Sequence, residues 1–348
     1  MRLAELEFDL PAELIAQEPL IPRDASRLLV VDRASGALDH RTFRDLPELL
    51  TRGDLLVVND SRVIPARLLG RKAGSGGQVE ILLLRPREPD CWEALVRPGR
   101  RLAHGSRVEL AEVGATIGER LGEGLRLVTF DPPGRLDEVL GRIGQMPLPR
   151  YLHTRLSDPE RYQTIYARAT GSAAAPTAGL HFTPALLAAL SERGIGLASV
   201  TLHVGLDTFR PVQTPVVEHH PMHREAWQVP LATAQAVAAA RQAGRRVVAV
   251  GTTSVRALET AARGGELAAG AGWTDLFITP GYRFRCVDAM ITNFHLPRTT
   301  LFAMVCAFAG AEHMRAAYRE AIARRYRLLS FGDAMVIWSS LEGERRCR

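Results

Sequence analysis

The sequence predicts an α/β protein in which a large α/β domain carries a smaller inserted β domain, which is a barrel or a sandwich. Three observations predict this architecture. Buried-strand runs open the chain, short apolar runs with Gly and Pro between them fill residues 64–149, and helix and strand patterns alternate from about residue 150 onward. We therefore expect residues 1–63 and 150–348 to form one discontinuous α/β domain and residues 64–149 to form the inserted β domain.

The front of the chain has the pattern of two buried strands joined by a helix. RLLVVD (27–32) and DLLVVN (54–59) are continuous apolar runs bounded by polar residues, and a short helix is predicted over 43–50. An amphipathic segment over 8–17 and a proline-containing loop precede them. These elements are expected to belong to the large domain.

The predicted barrel depends on four short apolar runs, which lie at 79–84, 91–96, 107–110 and 125–130. Short strands at such close spacing, with turn residues between them, favour a small barrel or sandwich. Pro147 and Pro149 are expected to close this segment.

The second half of the chain alternates between helices and strands. Thr183 is the expected N-cap of the first helix there, with Pro184 at the first helical position. Met314, Tyr318 and Ile322 share one face of the last helix. The predicted helices cover 183–193, 233–243, 255–263 and 311–326, and the predicted strands cover 197–204, 245–250, 275–279 and 335–338.

Composition excludes several classes of function. The chain has 348 residues, is 46% hydrophobic and has a net charge of +6, which is compatible with a polyanionic partner but does not require one. Lys72 is the only lysine and lies in a Gly/Ser-rich turn, so neither a phosphate-binding P-loop nor a Schiff-base lysine is expected. Because arginine carries nearly all the positive charge, arginine counts alone have little weight.

The four cysteines lie far apart and form no C-x-x-C pair, so we expect neither a disulfide framework nor a zinc site. No apolar run is long enough to span a membrane, and the N-terminus has no basic-then-apolar signal. The sequence therefore predicts a cytoplasmic protein with no membrane partner and no metal.

The clearest chemical motif is the turn GTTS at 251–254, which lies between a predicted strand and a helix. Strand ends in open α/β sheets bind ligands, and free amides and hydroxyls at a helix start suit an anion or a carboxylate. The alternative is an ordinary capped helix, with Thr253 or Ser254 as N-cap and Glu259 inside the helix. Spacing alone does not separate these interpretations.

Two other loops place histidines beside small and polar residues. AAAPTAGLHFT (173–183) displays Thr177, His181 and Phe182 before a helix, and TLHVGLDTFRPV (201–212) places His203 at a strand end. Four histidines and three acids within 203–225 suggest a metal site. Prolines break that segment and it has no H-E-x-x-H frame, so a substrate pocket or surface histidines are favoured over a metal.

The segment 278–301 interleaves arginine and aromatic residues with Asn293 and His295. Such a pattern is typical of surfaces that stack bases and contact phosphate, although an ordinary polar loop also explains it. SFGDAM (330–335) adds Ser330 and Asp333 in a glycine turn. Because loops of one α/β region tend to converge at a sheet edge, we expect these motifs to share a pocket.

Taken in order, these blocks resemble the S-adenosylmethionine:tRNA ribosyltransferase-isomerase family of queuosine biosynthesis. The resemblance runs nearly end to end. It departs at Asp207, where the family usually has Gly, and at Arg150, where it usually has a second Pro. The blocks that carry it are VVNDSRVIPARL (57–68), MPLPRY (146–151), YQTIYA (162–167), AAAPTAGLHF (173–182), LHVGLDTF (202–209), VGTTSVRALE (250–259), PGYRFRCVDAMITNFHLPRTTL (280–301) and YRLLSFGDAM (326–335).

The resemblance implies a fold, a reaction and its partners. The fold has a large mixed α/β catalytic domain, residues 1–63 and 150–348, with a smaller β-barrel domain, residues 64–149, inserted near its front. Enzymes of this family transfer the ribosyl moiety of S-adenosylmethionine onto 7-aminomethyl-7-deazaguanine at the tRNA wobble position and rearrange it. The products are epoxyqueuosine-tRNA, adenine and methionine. S-adenosylmethionine is then a co-substrate, no cofactor is expected, and the protein is expected to act on tRNA as a monomer.

The implied chemistry moves protons near neutral pH, which suits histidine and carboxylate side chains. We expect a base role for His181 or His203, with Asp60 also in the catalytic group, and we expect the GTTS turn to hold the methionine carboxylate or the ribose. The predicted substrate-binding residues are Asn59, Arg62, Thr177, Phe182, Thr252, Thr253, Ser254, Arg256, Glu259, Asn293 and His295, and the predicted tRNA-binding residues are Arg97, Arg283 and Arg285.

Two rival functions are weighed against this one. A methyltransferase that uses the same sulfonium donor would normally have a glycine-rich loop after an early strand, and the N-terminal region offers no such loop. A non-catalytic RNA-binding protein built on the barrel would bind tRNA without turnover, but most of the polar turns lie outside the barrel segment.

Overall fold

A computed structural model of the protein describes residues 1–122, 124–154, 156–205, 211–222 and 224–339. The chain folds into two compact units. Met1–Ser61, Arg150–Ala169 and Ala175–Arg348 form the first unit, and Arg62–Pro149 with Thr170–Ala174 form the second. No helix among the described residues is long and apolar enough to cross a membrane.

The strands and helices have the following bounds. The strands are β1 (Arg27–Asp32), β2 (Leu38–Thr42), β3 (Leu55–Asn59), β4 (Ser61–Val63), β5 (Arg67–Lys72), β6 (Gln78–Glu88), β7 (Cys91–Arg97), β8 (Arg107–Glu109), β9 (Gly114–Arg120), β10 (Leu125–Asp131), β11 (Ala169–Ser172), β12 (Gly196–Leu202), β13 (Glu225–Val229), β14 (Val247–Val250), β15 (Gly270–Thr274), β16 (Ala289–Asn293) and β17 (Ala334–Trp338). The α-helices are α1 (Leu46–Leu49), α2 (Arg135–Ile143), α3 (Pro184–Glu192), α4 (Leu231–Gln242), α5 (Thr252–Ala261), α6 (Thr300–Ala309) and α7 (Ala311–Ala323).

The first unit is built on a mixed sheet. Within the described ranges this sheet has nine strands in the order β15-β13-β12-β3-β14-β16-β17-β1-β2. Strands β12, β3, β14 and β16 run parallel, whereas β17 is antiparallel to β16 and parallel to β1. The carboxyl ends of the four parallel strands therefore meet the amino ends of β17 and β1 at one edge of the sheet.

The central strands are apolar because both faces of the sheet are covered. Strands β3, β14 and β16 are buried at every position, which is the pattern of parallel strands packed between helical layers. Their side chains pack with α1, α3 and Phe182 in the main core cluster. This buried core holds the strand ends at the sheet edge in fixed positions.

The second unit contains a closed antiparallel barrel. Among the described residues it has six strands in the order β10-β7-β6-β5-β8-β9. Helix α2 follows β10, and β4 and β11 pair in a separate two-stranded sheet. The predicted combination of a mixed α/β domain and a β-barrel is confirmed.

The local sequence pattern predicted the start of α3 correctly and predicted the segment after β15 incorrectly. Thr183 is the N-cap of α3, as predicted, and its Oγ1 accepts a hydrogen bond from Leu186 N at 3.2 Å. The predicted strand over 275–279 is wrong, because β15 ends at Thr274. Leu276 N donates to Thr274 Oγ1, and Leu276 O accepts from Arg256 Nε, so side chains satisfy this backbone in place of a neighbouring strand.

Candidate functional site

A pocket lies at the sheet edge where the strand ends meet. Val204 follows β12, Thr252 and Thr253 follow β14, Asn293 ends β16, and Ser330 precedes β17, and all of them line the pocket. Five predicted substrate-binding residues are therefore brought together, namely Thr177, Thr252, Thr253, Asn293 and His295. The enclosed part of the pocket is about 50 Å³, which holds a few water molecules or one small ligand group.

The pocket is mostly apolar and carries no charged side chain among the described residues. Among the described residues that line it there is no Asp, Glu, Lys or Arg side chain. Its polar groups are hydroxyls, an amide and one imidazole, set between apolar side chains such as Phe294 and Leu301. A ligand in this pocket therefore meets hydrogen-bonding groups and helix ends instead of formal charges.

Helix α5 begins at the pocket, and its start differs from the prediction. The N-cap is Gly251, not Thr253 or Ser254, because Gly251 has φ 86° and ψ 150°, a conformation open to glycine that lets the helix start at Thr252. No side chain caps this helix in the described structure. Thr253 Oγ1 is buried without a hydrogen-bond partner there, so the helix start offers uncapped amides and a free hydroxyl.

His181 lies behind the pocket wall and is buried. Its ring stacks on Phe43 with the centroids 4.8 Å apart. Its Nδ1 lies 2.8 Å from Ser26 Oγ, and its Nε2 lies 3.2 Å from Asn293 Nδ2. Burial lowers the pKa of His181 to about 4, so the imidazole is neutral at pH 7.

His203 and Asp60 follow the carboxyl ends of β12 and β3. Burial lowers the pKa of the half-buried His203, against an opposing effect of Asp60, and His203 Nδ1 has no hydrogen-bond partner in the described ranges. Asp60 is buried, with Oδ1 2.7 Å from Thr201 Oγ1 and Oδ2 2.6 Å from Arg168 Nε. The structure thus places the two predicted catalytic residues close together, and their roles remain predictions.

His295 is the histidine that lines the pocket. Its Nε2 lies 2.8 Å from Thr292 Oγ1, and its backbone N–H donates to Tyr318 Oη at 2.8 Å. Burial lowers the pKa of His295 to about 3, so this ring is also neutral at pH 7.

Three other predicted substrate-binding residues make contacts within the protein near the sheet edge. Asn59 bridges β3 to β12, because its amide bonds both the N–H and the C=O of Leu202. Ser254 Oγ donates to Val250 O at 2.7 Å. Phe182 is fully buried in the core cluster and packs against Phe43. Their predicted contact with substrate remains a prediction.

Arg256 and Glu259 hold neighbouring segments around α5. Arg256 forms a buried ion pair with Glu225, whose Oε1 accepts the N–H of Gly205 at 2.9 Å. Glu259 accepts backbone N–H groups from the three residues 285–287 at 2.9 to 3.0 Å. Both side chains therefore position loops beside the pocket, and a direct contact with substrate remains a prediction for each.

The predicted tRNA-binding arginines lie at two places in the chain. Arg97 is exposed at the end of β7, and Arg283 and Arg285 are exposed in the loop before β16. Arg62, predicted to bind substrate, is half-buried in β4. No group of three metal-ligating side chains occurs in the described part of the chain, and the loop departure at Asp207 and the histidine at 223 lie outside that part.

Sequence reasoning missed the pocket residue Tyr151 and its contact with Ser330. Tyr151 Oη and Ser330 Oγ lie 2.6 Å apart, although the residues are 179 positions apart in the chain. Burial raises the pKa of Tyr151 to about 12, so it stays a neutral phenol. Tyr151 is the last residue of the MPLPRY block, which was a usable signal for it.

Comparisons with known proteins agree over nearly the whole chain. The sequence profile of the family described as "Queuosine biosynthesis protein" matches residues 3–337. A protein of Heliobacterium modesticaldum named S-adenosylmethionine:tRNA ribosyltransferase-isomerase is 58% identical and covers 97% of this chain and 100% of that protein. A Symbiobacterium thermophilum protein of the same name is 54% identical with the same coverage.

A solved structure is also similar. The crystal structure of S-adenosylmethionine tRNA ribosyltransferase from Thermotoga maritima has 42% sequence identity and a TM-score of 0.57. The match covers 96% of this chain and 99% of that one.

Proposed function

The chain belongs to the queuosine biosynthesis protein family, and on that premise we propose that it transfers and isomerises the ribosyl moiety of S-adenosylmethionine onto 7-aminomethyl-7-deazaguanine at the tRNA wobble position. The products are epoxyqueuosine-tRNA, adenine and methionine. Relatives that are more than half identical over their full length and bear the name of this activity support the proposal.

The observation that carries the proposal within this chain is the uncapped start of α5 inside an uncharged pocket. A helix start has a partial positive charge and free N–H groups, which suit the methionine carboxylate of the donor. Thr253 Oγ1 adds a hydroxyl without a partner in the described structure. We assign the carboxylate to this helix start, with the rest of the donor extending toward the mouth of the pocket.

The absence of charged side chains from the described lining also suits the first chemical step. The sulfonium acidifies the neighbouring 5′ carbon, and removal of a proton there converts a cation into a neutral ylide. An environment of low polarity disfavours the charged form of a group, so it favours the loss of charge from the donor, while the proton and its charge pass to the base. Adenine then leaves, the acceptor amine loses a proton and bonds to the ribosyl unit, and methionine leaves when its bond to the ribosyl carbon breaks.

We assign the base role to His203. It is neutral at pH 7 because burial lowers its pKa, and its Nδ1 has no hydrogen-bond partner among the described residues. Asp60, which raises the pKa of His203, would stabilise the imidazolium that forms after proton transfer. His181 differs, since both of its ring nitrogens have protein partners.

The protein should release adenine when it is incubated with S-adenosylmethionine and tRNA that carries 7-aminomethyl-7-deazaguanine. We expect one adenine and one methionine for each modified tRNA, measured by chromatography, and no adenine with the same tRNA carrying guanine at that position. Release of S-adenosylhomocysteine would instead indicate a methyltransferase. Binding of tRNA without any adenine release would indicate a non-catalytic RNA-binding protein.

We further propose that the protein acts in the cytoplasm as a monomer and needs no cofactor beyond its two substrates. Its net charge of +6 supports an electrostatic contribution to tRNA binding. The exposed Arg97, Arg283 and Arg285 are proposed to contact phosphates. None of them is required for the chemistry of the donor.

Replacing Arg97 by Ala should weaken tRNA binding about 3- to 10-fold and lower the slope of log affinity against log salt by about one, because one phosphate contact is lost. Arg283→Ala should behave in the same way. The control is Arg107→Ala, whose guanidinium is already paired with Asp131 at 2.9 Å on the surface. Filter binding at several salt concentrations measures both quantities, and unchanged slopes for Arg97 and Arg283 would argue against these contacts.

A further inference from the structure

Three buried side chains form a hydrogen-bonded chain behind the pocket wall. Ser26 precedes β1, His181 ends the 3-10 turn Thr177–His181, and Asn293 ends β16. They are 1%, 5% and 2% exposed. The Ser26–His181 hydrogen bond is 2.8 Å long and the His181–Asn293 hydrogen bond is 3.2 Å long. The two bonds therefore link Ser26, through His181, to Asn293 in the pocket lining.

The backbone carbonyl of Leu329 fixes the orientation of the Asn293 amide. Asn293 Nδ2 lies 3.2 Å from Leu329 O, and a carbonyl oxygen can only accept a hydrogen bond. The amide nitrogen therefore faces both Leu329 and His181, and His181 Nε2 must accept its second N–H. The single proton of the neutral ring then lies on Nδ1, which donates to Ser26 Oγ.

The same orientation directs the amide oxygen of Asn293 away from these partners. Asn293 lines the pocket, and its Oδ1 is buried without a hydrogen-bond partner in the described part of the chain. A buried acceptor left unpaired is unfavourable, so such an acceptor in a ligand pocket is best explained by a donor on the ligand. An anionic group of the ligand would be repelled at this point.

We infer that His181 is a positioning residue, which holds Asn293 so that its amide oxygen accepts a hydrogen bond from an N–H or O–H group of the bound substrate. This inference rests on the proposed function, because it assigns part of the same site. S-adenosylmethionine offers its ammonium, its ribose hydroxyls and its adenine amino group. The tRNA acceptor offers its aminomethyl group, and the shared chemistry is a polar hydrogen-bond donor.

The surroundings of His181 agree with a fixed, neutral ring. Phe43 stacks on one face of the ring. Burial lowers the pKa of His181 most, and the guanidinium groups of Arg23 and Arg327 lower it further, against a hydrogen bond to the backbone of Arg23 that raises it. The lone pair on Nε2 is engaged by Asn293, so it is not directed at a substrate. The assignment therefore leaves the base role to another residue.

The tautomer of His181 can be measured without any turnover. In protein labelled with ¹⁵N-histidine, with the His181 signal identified by its loss in His181→Gln, we expect a neutral ring protonated on Nδ1 at about pH 7. Asn293→Asp removes the N–H donor and places a carboxylate beside Nε2, so this variant should show protonation of Nε2. A wild-type ring protonated on Nε2 would overturn the inference.

Kinetics distinguish a positioning role from a proton-transfer role. His181→Ala should raise the KM of the substrate bound by Asn293 about tenfold, because one buried hydrogen bond loses its support. His181→Gln keeps an acceptor for the Asn293 N–H and should recover most of that loss, with the pH profile of kcat unchanged. A loss of a hundredfold or more in the single-turnover rate of His181→Gln would contradict positioning, since glutamine cannot take up a proton.

Equilibrium binding identifies which substrate supplies the donor group. For Asn293→Ala we expect about tenfold weaker binding of one substrate, either S-adenosylmethionine alone or tRNA carrying the aminomethyl base. Calorimetry measures both affinities, and unmodified tRNA is the control for the tRNA measurement. Unchanged binding of both would overturn the inference, provided that the variant unfolds at the wild-type temperature. Neither the binding measurement nor the tautomer measurement needs catalysis. Both can therefore support the inference even if no adenine release is observed.

Discussion

Replacing Asp54 by Ala is expected to destabilise the protein by about 3–5 kcal/mol, because it leaves the guanidinium of Arg246 buried without its partner. The two residues are 1% and 6% exposed. Asp54 Oδ2 lies 2.5 Å from Arg246 Nη2 and 3.1 Å from Nε, and Asp54 also accepts the N–H of Thr51 at 2.8 Å. This pair lies where β3 and β14 begin, at the sheet edge opposite the pocket.

Urea unfolding followed by circular dichroism measures this effect. The matched control is Asp39→Ala, which removes an exposed carboxylate paired with Arg41 and should change stability little. Below its unfolding transition, the Asp54 variant should bind S-adenosylmethionine with wild-type affinity. Equal effects of the two substitutions on the free energy of unfolding would show that the buried pair contributes no more to stability than the exposed pair.

Replacing Gly251 by Ala is expected to weaken the binding of S-adenosylmethionine about 10- to 100-fold. At φ 86° an added side chain strains the backbone, at a cost of about 1–3 kcal/mol that a shift of the helix start can relieve. The new methyl group would also lie 3.5 Å from Thr253 Oγ1 and 3.7 Å from Ala178 Cβ. These are ordinary van der Waals distances, so the backbone strain is the effect that disturbs the uncapped start of α5.

Decarboxylated S-adenosylmethionine makes this test specific. If α5 holds the carboxylate, the wild-type protein should bind the decarboxylated compound more weakly than S-adenosylmethionine. Gly251→Ala should then reduce the difference in affinity between these two ligands. The control is Gly244→Ala, at φ 65° with no atom within 4 Å of the added methyl group, which introduces backbone strain away from the pocket. A variant that loses affinity equally for both ligands would rule out the carboxylate assignment.

The sequence predicted those parts of the fold that local interactions determine. The buried strands follow from continuous apolar runs, and the cap at Thr183 follows from one hydroxyl next to a proline. The run over 275–279 looks equally like a strand, but Arg256 and the hydroxyl of Thr274 bond its backbone. That outcome depends on packing between distant segments, which a local pattern does not contain.

Some features of the candidate site could also be predicted from local sequence, and others depend on contacts between distant segments. Thr252, Thr253 and Asn293 could be predicted because they lie at or just after the ends of strands, and the ends of parallel strands meet at one edge of the sheet. The contact of Tyr151 with Ser330 joins residues 179 positions apart, and no spacing rule encodes it. The orientation of Asn293 likewise depends on the carbonyl of Leu329, which only the folded sheet brings near.

The position of β17 has a consequence for the order in which the sheet can form. This strand lies far along the chain from β1, yet within the described ranges it lies between β16 and β1, so the first two strands join the rest of the sheet through it. Ser26 and Ser330, which precede β1 and β17, therefore reach His181 and the pocket once β17 has paired with both of its neighbours. A chain cut before β17 should thus lack an intact pocket, however well its barrel has folded.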